Sequence, residues 1–253
     1  VGSTRVNEVL APLTGDVGLV KEEFERITLW DLRSWRQRST LVLDGRIGKV
    51  LPDWNEQRLI ALSGGQNRGE ATEISVWDLQ SSKKIGKATE SQDRIEVFQI
   101  LPGGKRLVSG LLSGRITIRE LPSLRQLSTF VAHDDWINDL LVLGEINGGL
   151  YLTASNDQTV RIWDAESNRL RTELRGHRGD VTRLIMSNDN RRLFTSSRDR
   201  TLKVWEVERL LEPTIIEAHE NNIYTLAYSA DGKQLATGSE DGTAKVWNTA
   251  TGQ

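Results

Sequence analysis

Residues 238–248 read GSEDGTAKVWN, and the same outline returns twice upstream, as SSRDRTLKVWE at 196–206 and ASNDQTVRIWD at 154–164. Each copy has a serine, an aspartate two residues later and a tryptophan six residues past the acid. Between acid and tryptophan, apolar and basic residues alternate, which is the period-2 pattern of a half-buried strand. The polar triplets NDQ, RDR and EDG carry turn residues. Each copy therefore predicts a hairpin, and the open question is what a hairpin needs with a hydroxyl, a carboxylate and an indole.

Outward from each hairpin, the preceding strands are LYLTAS, RLFTSS and QLATGS, and before them come WINDLLVL, VTRLIM and IYTLAY. A further strand follows the tryptophan, as in LRTEL and PTIIEA. Four strands make one unit. Lining up the tryptophan position gives Trp30, Trp77, Arg119, Trp163, Trp205 and Trp247, spaced by 47, 42, 44, 42 and 42 residues. Five of the eight tryptophans share this phase, which explains why indole outnumbers the four phenylalanines and three tyrosines. A period near 42 without long 3.6-residue periodicity points to repeated four-stranded sheets rather than helical repeats.

Composition narrows the chemistry. There is no cysteine among the 253 residues, so disulfides, thiolate nucleophiles and cysteine-bound zinc are excluded. The formal charge of −2 argues against bulk electrostatic capture of nucleic acid or of an anionic membrane. No apolar run reaches the length of a spanning helix, and VGSTRVNEVL lacks the features of a signal peptide. A cytoplasmic location is expected. The stretch SGGQNRGE lacks the lysine and the spacing of a phosphate-binding loop; it reads as a lengthened hairpin turn or as a partner-contacting loop. Arg191, Arg192, Arg198 and Arg200 read as solvated turn and strand-face residues.

Together, these features resemble the WD-repeat β-propeller family: Trp-Asp-like dipeptides in register, preceded by Gly-His or Ala-His pairs 28 to 30 residues upstream. The resemblance covers essentially the whole chain and is strongest over 128–250. It implies an all-β propeller of four-stranded antiparallel blades, with approximate boundaries 1–40, 41–86, 87–128, 129–172, 173–214 and 215–253. Propellers of this family most often have seven blades, and an outer strand is due after NTATGQ. The six repeats are therefore expected to be part of a longer polypeptide that supplies further blades or domains, the alternative being an unusual six-bladed ring.

The histidines His133, His177 and His219 each precede a unit that carries Ser155 and Asp157, Ser197 and Asp199, or Ser239 and Asp241. Serine, histidine and aspartate invite a hydrolase reading, but a catalytic triad is needed once, and three copies in register favour architecture. The resemblance implies a chain of bonds in which the aspartate accepts from the histidine. The histidine then bonds the serine, which reaches the N–H of Trp163, Trp205 or Trp247. An indole nitrogen can only donate, so a buried tryptophan needs such an acceptor. One histidine per blade also keeps the three rings apart, so no shared metal is expected, and no cofactor.

A rigid scaffold with variable loops is a good place for binding residues. By resemblance, the top-face positions are Arg94 and Glu96, Trp136 and Asn138, Asp180 and Thr182, and Asn222 and Tyr224. Asn156, Arg198 and Glu240, before the turn aspartates, complete the set. Trp136 lies outside the architectural phase and, beside Tyr224 and arginine, has the composition of an interface hot spot. The expected function is a non-catalytic scaffold for a protein or peptide partner, not nucleic acid or membrane. The alternatives are a ligand-sensing or autoinhibitory region of a larger nucleotide-dependent signalling protein, and, more remotely, an enzyme that uses the central channel.

Overall fold

The alternation read along the chain becomes strands almost without exception. The computed structural model describes residues 6–10, 17–22, 25–65, 70–91, 93–144, 149–207, 214–249 and 251. The first two sheets are formed by β1 (Val6–Leu10), β2 (Val17–Glu22), β3 (Arg26–Asp31) and β4 (Arg36–Val42), and by β5 (Ile47–Asp53), β6 (Arg58–Gly64), β7 (Thr72–Asp78) and β8 (Lys83–Glu90). The third has β9 (Ile95–Ile100), β10 (Arg106–Leu111), β11 (Arg115–Glu120) and β12 (Gln126–Val131). The fourth has β13 (Ile137–Leu143), β14 (Leu150–Ser155), β15 (Val160–Asp164) and β16 (Leu170–Leu174). The fifth has β17 (Val181–Met186), β18 (Arg192–Ser197), β19 (Thr201–Glu206) and β20 (Thr214–Glu217), and the sixth β21 (Ile223–Tyr228), β22 (Gln234–Ser239) and β23 (Ala244–Asn248).

Strands in each sheet follow chain order, so five sheets are four-stranded meanders and the sixth has three strands among the described residues. These are blades of the expected kind, which we number one to six. No helix of the described residues is long and apolar enough to cross a membrane. Part of the SGGQNRGE stretch, residues 66–69, lies outside the described residues.

The contact pattern divides the chain into two compact units, residues 1–95 with 119–127, and residues 96–118 with 128–253. In the first, Leu19, Ile27, Leu29, Leu41, Leu59 and Trp77 form one buried cluster. In the second, three clusters repeat along the blades; one joins Leu152, Ile162, Val181, Leu193 and Trp205. Burying each such side chain contributes about 1.5–3 kcal/mol, so the facing of one sheet on the next is the main source of stability.

Register places the functional positions. The first strand of each C-terminal blade shifts register after its first residue, between Ile137 and Asp139, Val181 and Arg183, and Ile223 and Thr225. Asn138, Thr182 and Tyr224 are thus the extra residues of β-bulges. A bulge re-aims the side chain it carries.

Candidate functional site

Beneath the loops of blades four, five and six lies one polar motif, built three times. His133 Nδ1 lies 2.8 Å from Asp157 Oδ2, His177 Nδ1 2.8 Å from Asp199 Oδ2, and His219 Nδ1 2.9 Å from Asp241 Oδ2. The other ring nitrogen, Nε2, lies 2.7 Å from the hydroxyls of Thr153, Thr195 and Thr237. The same threonine oxygens accept from Trp163, Trp205 and Trp247 Nε1 at 2.9, 3.0 and 3.0 Å.

This corrects the expected link. Threonine, two residues before the serine, joins histidine to tryptophan. Trp163 is directly opposite Tyr151 in register, so Thr153 is its diagonal neighbour on the same face. Ser155 is four residues from Tyr151, roughly 13 Å along the strand and beyond the reach of the indole. Ser155, Ser197 and Ser239 instead donate to the carbonyls of Asp135, Gly179 and Asn221, at 3.1, 3.0 and 3.1 Å. Each also accepts the N–H of the aspartate two residues on. The serines fasten the entering loop to the turn, and they make no bond to a histidine. The three Ser-His-Asp sets therefore lack the contact that would activate a serine.

Proton placement follows from the partners. A carboxylate can only accept, so Nδ1 carries the hydrogen. In blade five the Thr195 oxygen takes the indole hydrogen and gives its own to His177 Nε2, which leaves that ring neutral. Burial of His177 agrees, holding its pKa below the ordinary value despite the attraction of Asp199. Burial raises the pKa of Asp157, but bonds from His133 and Thr159 prevail and hold it well below the carboxylate range. Asp199 shows the same balance, with His177 the chief opposing partner. For Asp241, the Thr243 hydroxyl is the leading cause of a similar depression.

The N-terminal blades depart from this plan. Trp77 Nε1 donates to Ser75 on its own strand at 3.0 Å, while Trp30 Nε1 is buried without a hydrogen-bond partner among the described residues. Arg119, 4% exposed, occupies the tryptophan slot and pairs with Glu90.

Above this frame, the expected surface residues divide into two groups. Asn138 Nδ2 donates to Asn156 Oδ1 at 2.7 Å and to Val181 O, in blade five, at 2.8 Å. Thr182 Oγ1 donates to Ile223 O, in blade six, at 2.6 Å, and Thr182 is only 5% exposed. Both side chains tie a bulge to the next blade. Thr182 is thus corrected from a partner-facing residue to a buried tie, because the bulge turns it inward.

Tyr224, at the same bulge position in blade six, points outward. Its ring stacks under Arg198, whose Cζ is 5.8 Å from the ring centre, and Arg198 pairs with Asp180 at 3.0 Å. Glu240 Oε2 accepts from Asn222 Nδ2 at 2.7 Å and from the Tyr224 hydroxyl at 3.3 Å. Asp180, Arg198, Tyr224, Glu240 and Asn222 therefore form one connected surface over blades five and six. Trp136 is 45% exposed in blade four, its carbonyl accepting the Asn156 N–H at 2.9 Å. Arg94 and Glu96 are each half-buried in their own unit.

Comparison with known proteins bears on the repeats. The family model described as WD domain, G-beta repeat matches residues 124–164, 168–206 and 212–248. A bromodomain and WD repeat-containing protein of Dictyostelium discoideum is 37% identical over 95 residues, 33% of this chain and 4% of that protein. The pre-mRNA-splicing factor PRP46 of Candida albicans is 39% identical over 64 residues, 25% of this chain and 16% of that protein. The matches thus span a small part of these relatives' length.

Proposed function

We propose that this chain, three of whose repeats match the WD-domain family model, is a non-catalytic scaffold whose top face receives a protein or peptide partner, protein–protein interaction being the general role of such repeats. The observation that carries this reading is the connected surface over blades five and six. At Tyr224 the inter-blade tie gives way to an exposed aromatic ring, clasped by Arg198 and bonded to Glu240.

Rigid aromatic and arginine side chains are the usual anchors of interfaces, since they offer contact area at low cost in conformational entropy. The frame beneath them supports this use. Each loop is held by a histidine–aspartate bond and a serine–carbonyl bond, so the surface is pre-organised. Mixed charge, with cationic Arg198 on the same surface as the carboxylates of Asp180 and Glu240, suits a polypeptide better than a polyanion.

Site-specific photo-crosslinking tests the reading. A benzoylphenylalanine at position 136 or 224 should capture a discrete protein partner in cells, and one at position 215 should not. Equal capture at all three positions would count against a top-face site.

A further inference from the structure

A second surface lies in the first unit, on the turn between β3 and β4. Trp35 is 75% exposed, and its φ is +53°. The left-handed region is uncommon for any residue but glycine, asparagine or aspartate, and for a bulky side chain it is an outlier. The matching turn positions of blades two and four hold Ser82, with φ +58°, and Asn168, with φ +56°. Leu124 takes the same conformation in blade three, but there it is 3% exposed and anchored by burial. Nothing in the fold compensates Trp35 in that way.

The turn itself is fixed. Asp31 Oδ1 accepts from Ser34 N at 2.7 Å, Ser34 Oγ at 2.8 Å and Arg33 N at 3.1 Å. The exposed ring thus stands on a pre-organised backbone. Beside it, Arg36 and Arg38 are exposed on β4, the edge strand of its sheet. Ser39 Oγ lies 2.6 Å from Ser82 Oγ, which brings the backbone of Lys83, next to Ser82, close to that of β4, and Lys83 is exposed. Among the described residues, no carboxylate forms an ion pair with Arg36, Arg38 or Lys83. Asp31 and Asp78 stand opposite Arg36 and Lys83 in register, but both carboxylates bond within their own turns, Asp31 to Ser34 and Asp78 to Ser81. Ser34 is the chief cause that holds the Asp31 pKa down, and Arg38 helps.

Arginines alone would be explained as charges that keep an edge strand from pairing. They do not explain a strained, exposed tryptophan. We infer that Trp35, Arg36, Arg38 and Lys83 form a second docking surface, for an acidic peptide segment of a partner protein that sets an apolar side chain against the indole. Charge complementarity and the outer edge of β4, unpaired among the described residues, favour an extended acidic peptide over nucleic acid. One ring and three cations on a chain of net charge −2 offer no basic groove for a phosphate backbone.

The test uses the whole chain and fluorescence anisotropy with three labelled probes: a peptide of alternating glutamate and phenylalanine, its lysine counterpart, and a single-stranded oligonucleotide. The glutamate peptide should bind and the lysine peptide should not. Trp35→Asn should weaken binding at least tenfold without lowering the melting temperature, since asparagine suits this backbone. Arg36→Glu with Arg38→Glu should abolish binding, whereas Trp136→Ala should leave it unchanged. No binding of the glutamate peptide, tighter binding of the oligonucleotide, unchanged affinity in Trp35→Asn or a lower melting temperature of that variant would each overturn the inference. The top-face reading stands or falls separately, on the crosslinking at positions 136 and 224.

Discussion

Trp163 Nε1 donates to Thr153 Oγ1 at 2.9 Å, and that hydroxyl also lies 2.7 Å from His133 Nε2. One oxygen thus serves two buried groups, and removing it leaves both unpaired. Thr153→Val keeps the shape and deletes the hydroxyl, so it should cost about 2–3 kcal/mol, near the upper end for an unsatisfied buried donor. Ser155→Ala, which loosens a loop-to-turn bond, should cost about 1 kcal/mol. Denaturant midpoints of the two variants measure the difference, and a larger loss for Ser155→Ala would reverse the assignment.

The aspartates should rank by how enclosed they are. Asp157 accepts from His133, Thr159 N and Thr159 Oγ1, and its side chain is 8% exposed. Asp157→Ala and the equivalent Asp199→Ala should each destabilise by about 1–3 kcal/mol. Asp31→Ala, in a blade without the histidine and on an exposed turn, should cost less, as thermal melts of the three variants would reveal.

Acid should destabilise the chain in two stages. The folded-state pKa of His177 is depressed, so its contribution is fully present above the unfolded value, about 6.5, and is lost as pH falls below it. The pKa values of Asp157 and Asp199 are also depressed, so their contribution is present above about 4 and is lost as pH falls further. Melting temperature should therefore drop modestly from pH 7 to 5 and steeply below 4. His177→Gln should flatten the first stage and leave the second. A stability maximum below pH 5 would contradict the neutral-ring assignment.

Binding and stability should separate between exposed Trp136 and buried Thr182. Trp136→Ala should weaken a top-face partner by at least about 2 kcal/mol and leave the melting temperature nearly unchanged. Thr182→Ala should lower the melting temperature, because its hydroxyl holds Ile223 O, and should alter affinity little. Calorimetric titration of each variant, paired with a melt, distinguishes the two roles; matching effects would mean that the surface was divided wrongly.

Sequence alone determined the blade plan, because its signals are local. Period-2 alternation, turn triplets and a tryptophan recurring every 42 residues are properties of neighbouring positions, and LYLTAS, RLFTSS and QLATGS became β14, β18 and β22 with the same ends. The triplicate histidine and aspartate were likewise legible, since repetition separates architecture from chemistry. Tertiary structure decided which hydroxyl meets the indole, because Thr153 and Ser155 share a strand face and only the cross-strand register puts one within reach. It also decided the fates of Asn138, Thr182 and Tyr224, which occupy one bulge position but point to the next blade or to solvent. Trp35 left a trace in the sequence, a tryptophan out of phase, but that trace was shared with Trp54 and Trp136. Only the backbone dihedral and the exposure of the ring, both set by how the turn folds back on its sheet, set Trp35 apart.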